Sequence, residues 1–287
     1  HIVVVRRHQE NLRPIRRTEM TTQAEKATRF QALHAREGAF VIPNPWDAGS
    51  ARLLAGLGFE ALATTSSGFA FTLGRLDGMV TREEKLAHCR LLCAATDLPI
   101  SADLENGFAH DPAQAAQTYL LAAEAGVVGG SIEDFSGEGI YEFAHAVERV
   151  QAAVEAVRTL DFPFTLTARA ENFLHGRNDL DDTIRRLQAF VAVGADVVYA
   201  SGLRTLAEVR QVVAAVDKPV NVLVPFLPGV TVAELAAAGA KRLSIGGALA
   251  RATMTTIIAS GREMLDGGGF GWLSGLVSGG EVARLLK

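Results

Sequence analysis

The chain has 287 residues, of which 48% are hydrophobic and 21% charged, and its formal net charge at pH 7 is −4. This composition predicts a globular protein with a sizeable core and argues against a disordered chain. The slight negative charge, without a basic stripe, argues against nucleic acid or a membrane as the main partner, so we expect a small molecule.

The chain opens with a basic stretch, HIVVVRRHQENLRPIRRTE, that ends just before Met20. Its apolar run is too short for a signal peptide or a membrane span. We interpret residues 1–22 as an N-terminal extension, residues 23–265 as one folded domain and residues 266–287 as a C-terminal helical tail.

Between residues 40 and 247, short apolar strands alternate with alanine-rich helical segments. Four strands follow a glycine that ends a helical pattern, and three follow an Asp-x-Pro sequence. In chain order the eight strand segments are FVIPNP (40–45), GFEALATTS (58–66), DLPISADLE (97–105), GVVGGSIED (126–134), DFPFTLTAR (161–169), GADVVYASG (194–202), DKPVNVLVP (217–225) and GAKRLSIGG (239–247).

Eight such units predict an α/β fold of the (β/α)8 TIM barrel type, with functional residues at the carboxyl ends of the strands. A doubly wound sheet is the alternative. The string GLGFEA at residues 56–61 precedes a strand instead of joining a strand to its helix, so it does not fit a dinucleotide-binding turn.

The only two cysteines, Cys89 and Cys93, lie four residues apart in a helical pattern. Such a pair is typical of a helix core, since a zinc site needs more ligands nearby. Two buried thiols predict a reducing, cytoplasmic location.

Polar residues stand at the predicted carboxyl ends of the strands, and acids dominate among them. Carboxylates that converge on one mouth raise one another's pKa unless a cation neutralises them. A hard divalent metal, bound directly by Asp103 and through water by Glu105, would do so. A salt bridge or helix cap is the alternative for this pair, and Glu133 could equally be structural. Asp134, next along its strand, should face the opposite way.

Two further strand-end features suit a small anionic substrate. Arg169 could grip a carboxylate beside a metal, although Glu171 offers it a nearer partner. The segment TTSSGF at residues 64–69 could be only a turn, or could offer backbone N–H groups to an anion.

Five motifs, in order and at predicted strand ends, together resemble the isocitrate lyase/phosphoenolpyruvate mutase superfamily. They are IPNPWDAGSARLLAGLGFEALATTSSGF (42–69), LGRLDG (73–78), ADLENGFA (102–109), SIED (131–134) and LTARAENF (166–173). The resemblance implies a barrel whose last helix is exchanged between subunits, and a homotetramer built as a dimer of dimers. It also implies Mg²⁺ or Mn²⁺ as cofactor and a small 2-keto acid as substrate.

The resemblance assigns roles to particular residues. It implies that Asp103 ligates the metal while Asp77, Glu105 and Glu133 hold its waters, and that Arg169, Asp77 and Glu133 are catalytic. The backbone of residues 67–69 would hold the substrate carboxylate and keto oxygen together with Arg169. The candidate substrate-binding residues are Ser67, Gly68, Phe69, Arg169, Trp46, Asp47, Asn221 and Arg251.

Departures from the family pattern narrow the function. Lyases of the family carry a Lys-Lys-Cys-Gly-His loop after the fourth strand, whereas this loop reads EDFSGEGIYEFAH (133–145) and has no cysteine. Phe135 replaces the lysine of mutases and phosphonopyruvate hydrolases, and Ser201 stands where lyases have glutamate. The sequence therefore most resembles oxaloacetate decarboxylase-like members.

We expect a metal-dependent lyase or decarboxylase that acts on an oxaloacetate-like 2-keto acid through an enolate. A phosphonopyruvate hydrolase or phosphoenolpyruvate mutase-type P–C bond enzyme and a catalytically silent 2-keto-acid binder are the alternatives. A Schiff-base aldolase is not favoured, because the lysines precede strands or, like Lys85, lie in helical segments.

Overall fold

A computed structural model of the protein describes residues 21–287, so residues 1–20 of the predicted N-terminal extension lie outside the described residues. All eight predicted strands form, and they make one parallel sheet in the order β1-β8-β7-β6-β5-β4-β3-β2. The strands are β1 (Phe40–Ile42), β2 (Leu62–Ala63), β3 (Ile100–Asp103), β4 (Gly129–Glu133), β5 (Thr165–Ala170), β6 (Val197–Ala200), β7 (Val220–Leu223) and β8 (Arg242–Ser244).

Helices follow the strands in alternation, and most begin at a Thr or Asp whose side chain accepts a backbone N–H of the first turn. The helices are α1 (Gln23–Ala35), α2 (Ala48–Gly56), α3 (Ser66–Thr72), α4 (Arg82–Ala95), α5 (Pro112–Glu124), α6 (Phe143–Val157), α7 (Leu180–Ala192), α8 (Leu206–Ala215), α9 (Val232–Ala237), α10 (Ala248–Gly267) and α11 (Gly279–Leu285).

Hydrogen bonds between β1 and β2 bring the two ends of the sheet together. The Ala63 amide donates to the Pro43 carbonyl at 3.1 Å, and the Asn44 amide group donates to the Thr64 carbonyl at 3.0 Å. The sheet is thereby a nearly closed (β/α)8 barrel, and the predicted fold class is confirmed.

Helix α1 packs across the amino-terminal end of the barrel, where Phe30 and Leu33 join Phe40 and Ile42 of β1 in one buried cluster. The larger core lies between the strands and the other helices. With its amino-terminal end covered in this way, the barrel has its polar strand ends at the opposite, carboxyl-terminal end.

The strand register sets the geometry of that end. Arg169 of β5 lies directly opposite Glu133 of β4 and Tyr199 of β6. Directly opposite residues of neighbouring strands project to the same face of a sheet, so these three side chains share the barrel interior.

The C-terminal segment leaves much apolar surface exposed within a single chain. In α10 only Ala250 and Ser260 are buried, while Ile257 and Leu265 are 69% and 87% exposed. Helix α11 packs on α2, where a side chain at Gly56 would collide with the backbone of α11. Within residues 21–287, no helix combines the length and the apolar character that crossing a membrane requires.

We expect removal of residues 268–287 to convert a tetramer into smaller or insoluble species. The exposed apolar residues of α10 and the tail would need a partner surface, since contiguous apolar patches on soluble proteins usually have one. Size-exclusion chromatography with light scattering measures the change, and a monomeric full-length protein would contradict the prediction.

Candidate active site

Two cavities open at the carboxyl ends of the strands. An outer cavity of about 630 Å³ lies towards the loops that follow β3, β4 and β5, and an inner cavity of about 170 Å³ extends between the strands. Ser66, Asp77 and Arg169 line both. The polar strand-end residues predicted from the sequence therefore surround one continuous region.

The Arg169 guanidinium is the hub of this region. Its Nη1 lies 3.2 Å from Asp103 Oδ1 and 2.9 Å from Glu133 Oε1, and its Nε donates to Glu171 Oε1 at 2.7 Å. Ser201 donates to the same Glu171 oxygen at 2.7 Å. Charge-assisted hydrogen bonds of this kind fix a planar guanidinium in one orientation.

Asp103 ends β3 in a position that favours its ionised form. Its Oδ2 accepts the backbone N–H of Ser66 at 3.0 Å, and its own N–H donates to Thr64 Oγ1 at 2.8 Å. Although burial opposes ionisation, Arg169, Lys85 and the Ser66 N–H together lower the pKa of Asp103.

The pKa values of the neighbouring acids are raised instead of lowered. Burial, followed by the negative charge of Asp103, raises the pKa of Glu105 to about 7 and also raises the pKa of Asp77. Burial raises the pKa of Glu133 despite its ion pair with Arg169, with Glu171 and Asp103 adding to the effect. These carboxylates lie close enough to disfavour one another's charge.

The backbone after β3 is strained at the same place. Glu105 and Phe108 have φ values of 51° and 58°, in the left-handed region that non-glycine residues rarely adopt. Glu105 therefore lies beyond the end of β3, and its Oε1 is buried with no hydrogen-bond partner within residues 21–287. Strain of this kind is common where a side chain is held for a functional purpose.

The segment TTSSGF forms the start of helix α3 instead of a simple turn. Thr65 caps the helix by accepting the Gly68 N–H at 3.2 Å. A side chain at Gly68 would meet Thr65 Cγ2 at 2.5 Å, and one at Gly247 would collide with Ser67. Both glycines therefore allow the segments after β2 and β8 to approach each other closely beside the inner cavity.

Four of the predicted substrate-binding residues lie at different distances from the cavities. Asp47 caps α2 by accepting the Ser50 N–H at 2.7 Å, and the Trp46 carbonyl is 2.9 Å from His88 Nε2. Asn221 lines the inner cavity, and Arg251 is exposed on α10 and lines neither cavity. Of these four, only Asn221 is brought to the cavities.

Asp134 faces away from the cavities, as strand alternation predicts. Its carboxylate accepts the Glu171 N–H at 2.8 Å and an Arg186 N–H at 3.1 Å. Arg186 also pairs with Asp182 at 2.9 Å. This buried network ties the ends of β4 and β5 to α7 and thereby holds Glu133 and Arg169 in place.

Lys85 was not predicted from the sequence as a residue of the site. Its ammonium on α4 is fully buried, has no hydrogen-bond partner among the described residues, and lies 6.0 Å from the centre of the Phe69 ring. Its charge lowers the pKa of Asp103 and offsets part of the rise at Glu105. Its spacing from Cys89 and Leu92, on the buried face of the helix, was the available signal.

Two histidines of the outer cavity were also missed. His175 stacks on Phe135 with ring centroids 3.5 Å apart, and His110 Nδ1 lies 2.7 Å from the Tyr141 hydroxyl. The loop between β4 and α6 thus contacts two neighbouring loops through aromatic rings. No sequence motif links these residues, because they come from three separate loops.

The donor set fits a hard divalent cation. The acids of the site supply only oxygen, the ligand atom that Mg²⁺ and Mn²⁺ accept; they are Asp77, Asp103, Glu105 and Glu133. One oxygen of Glu105 is buried without a hydrogen-bond partner among the described residues. Within residues 21–287, no three His, Cys, Asp or Glu side chains form a group that could hold an ion by themselves. One direct carboxylate ligand with waters held by the other acids is compatible with both observations.

Comparison with protein families gives a long match. The family described as phosphoenolpyruvate phosphomutase matches residues 30–265. An uncharacterised protein of Mycobacterium tuberculosis strain H37Rv is 30% identical over 240 residues, covering 83% of this chain and 89% of that protein. The 2-methylisocitrate lyase of Escherichia coli K12 is 29% identical over 202 residues, covering 67% of each chain.

Solved structures agree with the sequence relatives. A provisionally named lyase/mutase from Burkholderia cenocepacia J2315 has a TM-score of 0.89 and 54% identity, covering 91% of this chain and 95% of that one. An oxaloacetate acetylhydrolase with bound oxalate has a TM-score of 0.82 at 24% identity, covering 92% and 94% of the two chains, so it is similar in fold.

We expect Glu105→Gln to stabilise the metal-free protein at alkaline pH. In the unfolded chain Glu105 ionises near its ordinary pKa of 4.5, whereas in the folded protein it ionises at about 7. The free energy of unfolding of the wild type should therefore fall relative to that of the variant as pH rises from about 4.5 to about 7. Above about pH 7 the difference between the two proteins should stay constant.

Urea unfolding in EDTA at a series of pH values measures this difference. Glu124→Gln, at an exposed glutamate on α5, is the matched control and should show no such trend. A free-energy difference between wild type and Glu105→Gln that does not change with pH would contradict the prediction.

Proposed function

The chain belongs to the isocitrate lyase/phosphoenolpyruvate mutase superfamily, and on this premise we propose that it is a Mg²⁺- or Mn²⁺-dependent enzyme that decarboxylates oxaloacetate, or a closely related short 2-keto acid, to give pyruvate. The observation that carries the proposal is the arrangement of Arg169 among Asp103, Glu133 and Glu171, beside a loop without cysteine.

The anion-binding side of the site supports a small 2-keto acid. Arg169 presents a fixed guanidinium to both cavities, and the first turn of α3 lies beside it through the Ser66–Asp103 hydrogen bond. We assign the substrate carboxylate and keto oxygen to Arg169 and to the backbone of residues 67–69 at the start of α3. The Gly68 and Phe69 N–H groups donate to Thr65, so they would contact the substrate only by sharing or exchanging those hydrogen bonds. A positioned cation and backbone amides stabilise an oxyanion as it forms.

Asp103 would hold the metal directly, and Asp77, Glu105 and Glu133 would hold its waters. When bound, the metal would supply Lewis-acid stabilisation of the negative charge that develops on the keto oxygen. Within the protein, Arg169 adds positive charge at the same oxygen. Asp134 and Glu171 keep Arg169 oriented through the hydrogen bonds of β4 and β5.

The apolar wall of the outer cavity suits loss of CO₂. Phe108, Phe135 and Leu174 line this cavity together with the acids. A carboxylate that faces apolar side chains loses solvation, whereas CO₂ is neutral and leaves without a proton. The chemistry then needs only water to protonate the enolate carbon, so a catalytic group on the loop is not required.

The two thiols of the chain do not replace the missing loop cysteine. Both lie on α4, and burial raises the pKa of Cys89 to about 11 and that of Cys93 to about 12. A thiol with such a pKa is a poor acid–base group at neutral pH. This favours a reaction that needs no thiol, in contrast to cleavage of isocitrate or methylisocitrate.

The direct assay measures pyruvate release from oxaloacetate by the purified protein with Mg²⁺ or Mn²⁺. Metal-only and EDTA controls are essential, because free divalent ions catalyse this reaction slowly. Phosphonopyruvate is tested in parallel. A rate of pyruvate release no higher than with metal alone would contradict the decarboxylase proposal. In that case, release of phosphate from phosphonopyruvate would indicate a P–C bond enzyme. Binding of pyruvate without turnover of either substrate would indicate a 2-keto-acid-binding protein.

We expect Asp103→Ala to abolish binding of Mg²⁺, because this variant removes the proposed direct ligand. Isothermal titration of the metal-free protein with MgCl₂ measures the affinity, and circular dichroism checks the fold. Asp161→Ala, at an exposed aspartate before β5, is the matched control. Unchanged magnesium affinity in Asp103→Ala would rule out the assignment.

We expect Arg169→Ala to lower kcat/KM for oxaloacetate by about 10²–10³, the scale of losing one group that stabilises an oxyanion. Arg158→Ala provides the control, since Arg158 is an exposed arginine that pairs with Asp196 away from the site. The two variants are compared under identical metal concentrations. An Arg169→Ala enzyme within threefold of the wild type would show that Arg169 does not contact the reacting oxygen.

A further inference from the structure

The interior of the barrel below the acids is polar, although barrel interiors are usually filled by Val, Ile and Leu. The inner cavity reaches down between the strands to buried side chains with hydroxyl, amide and guanidinium groups. These residues are Ser101, Ser131, Tyr199, Asn221, Arg242 and Ser244. A polar interior of this kind needs a hydrogen-bonding occupant.

Arg242 is the charged group of this interior. It is 5% exposed, and its Nε donates to Asn221 Oδ1 at 2.8 Å. The Asn221 amide nitrogen is itself engaged, because it donates to Ser244 Oγ at 2.9 Å. Arg242 Nη1 is buried with no hydrogen-bond partner in the part of the chain that the structure describes.

Other buried arginines show what Arg242 lacks. Arg169 contacts three carboxylates, Arg186 contacts two, and Arg149 donates to the backbone carbonyls of three residues. Arg242 forms neither an ion pair nor a set of carbonyl contacts of this kind within residues 21–287. The inner cavity is lined by two acids, Asp77 and Asp103, and Asp103 is already engaged by Arg169. A buried guanidinium without a counter-charge is costly, so an anion in contact with it would stabilise the folded state.

The neighbouring groups are suited to an anion. Thr167 does not itself line the inner cavity, but it lies directly opposite Ser131, which does, and its buried hydroxyl has no partner among the described residues. Serine hydroxyls of β3 and β4 line the same cavity. Hydroxyls can turn their protons towards an acceptor, and the cavity of about 170 Å³ exceeds the roughly 30 Å³ that one water occupies.

We propose that the inner cavity binds a small inorganic anion, chloride, on the Arg242 guanidinium. Arg242 is not one of the proposed substrate contacts, but the same cavity is also lined by Ser67 and Arg169, which are. Tyr199 lines the same cavity and packs its ring 4.7 Å from the Arg169 guanidinium. A bound chloride would therefore stabilise the residues that pack beneath Arg169 and the carboxylates around it.

Bromide tests the site without any variant. Crystals of the wild-type protein soaked in sodium bromide should show an anomalous peak within about 3.5 Å of an Arg242 nitrogen. A peak absent there, with waters refined in the cavity, would overturn the proposal. A second soak contains bromide and pyruvate together; persistence of the peak supports an inorganic site, and displacement by pyruvate would reassign the cavity to the substrate.

Thermal unfolding provides the solution measurement. At constant ionic strength, replacing gluconate with chloride should raise the Tm of the metal-free wild type by about 2–4 °C, saturating with concentration. Arg242→Met should abolish the chloride dependence, and Arg242→Lys, which keeps a charge, should retain part of it. Arg210→Met, at an exposed arginine, should respond as the wild type does.

If Arg242→Met fails to fold, the bromide experiment and the chloride response of Arg242→Lys decide the question. Equal Tm values in chloride and gluconate for the wild type would overturn the proposal. An unaltered chloride response in Arg242→Lys and Arg242→Met alike would also overturn it, because the responding site would then lie elsewhere.

Discussion

Arg169 is shared among Asp103, Glu133 and Glu171 at the mouth of the barrel, and the rest of the site depends on how this one guanidinium divides its charge. Asp77 and Glu105 receive no ion pair within the described residues, so negative charge remains in excess there. The raised pKa values of both acids follow from burial and from Asp103. Without a metal the site therefore carries negative charge that no ion pair compensates, and its carboxylates favour a bound cation.

Two buried networks of hydrogen bonds and ion pairs hold the strand ends, one on each face of the strands. Towards the barrel interior, Arg169 organises the acids that would contact metal and substrate. On the other face, Asp134 joins Arg186 and the Glu171 backbone, fixing the same strand ends from behind. Because Glu133 and Asp134 are adjacent in sequence, alternation alone sends one carboxylate to each network. The position of Glu133 thus depends on the neighbouring Asp134, which faces away from the cavities.

Much of this organisation could be predicted from the sequence, because seven of the eight strands follow a local sequence signal. The Gly and Asp-x-Pro sequences located the strands, and a parallel barrel then brought distant acids to one end. The left-handed backbone at Glu105 could not be predicted from the strand pattern, because β3 ends at Asp103. Lys85, His110 and His175 were missed because their proximity to the acids depends on helix packing and loop conformation, which short motifs do not encode.

Gly68 and Gly247 limit how this enzyme can diversify. A side chain at Gly68 would collide with Thr65, and one at Gly247 would collide with Ser67, so both positions should tolerate little change in a mutational library. The loop between β4 and α6 has no such restriction at Gly137 and Gly139, where an added side chain would meet open space. Directed evolution should therefore accumulate substitutions in that loop while the first turn of α3 stays unchanged.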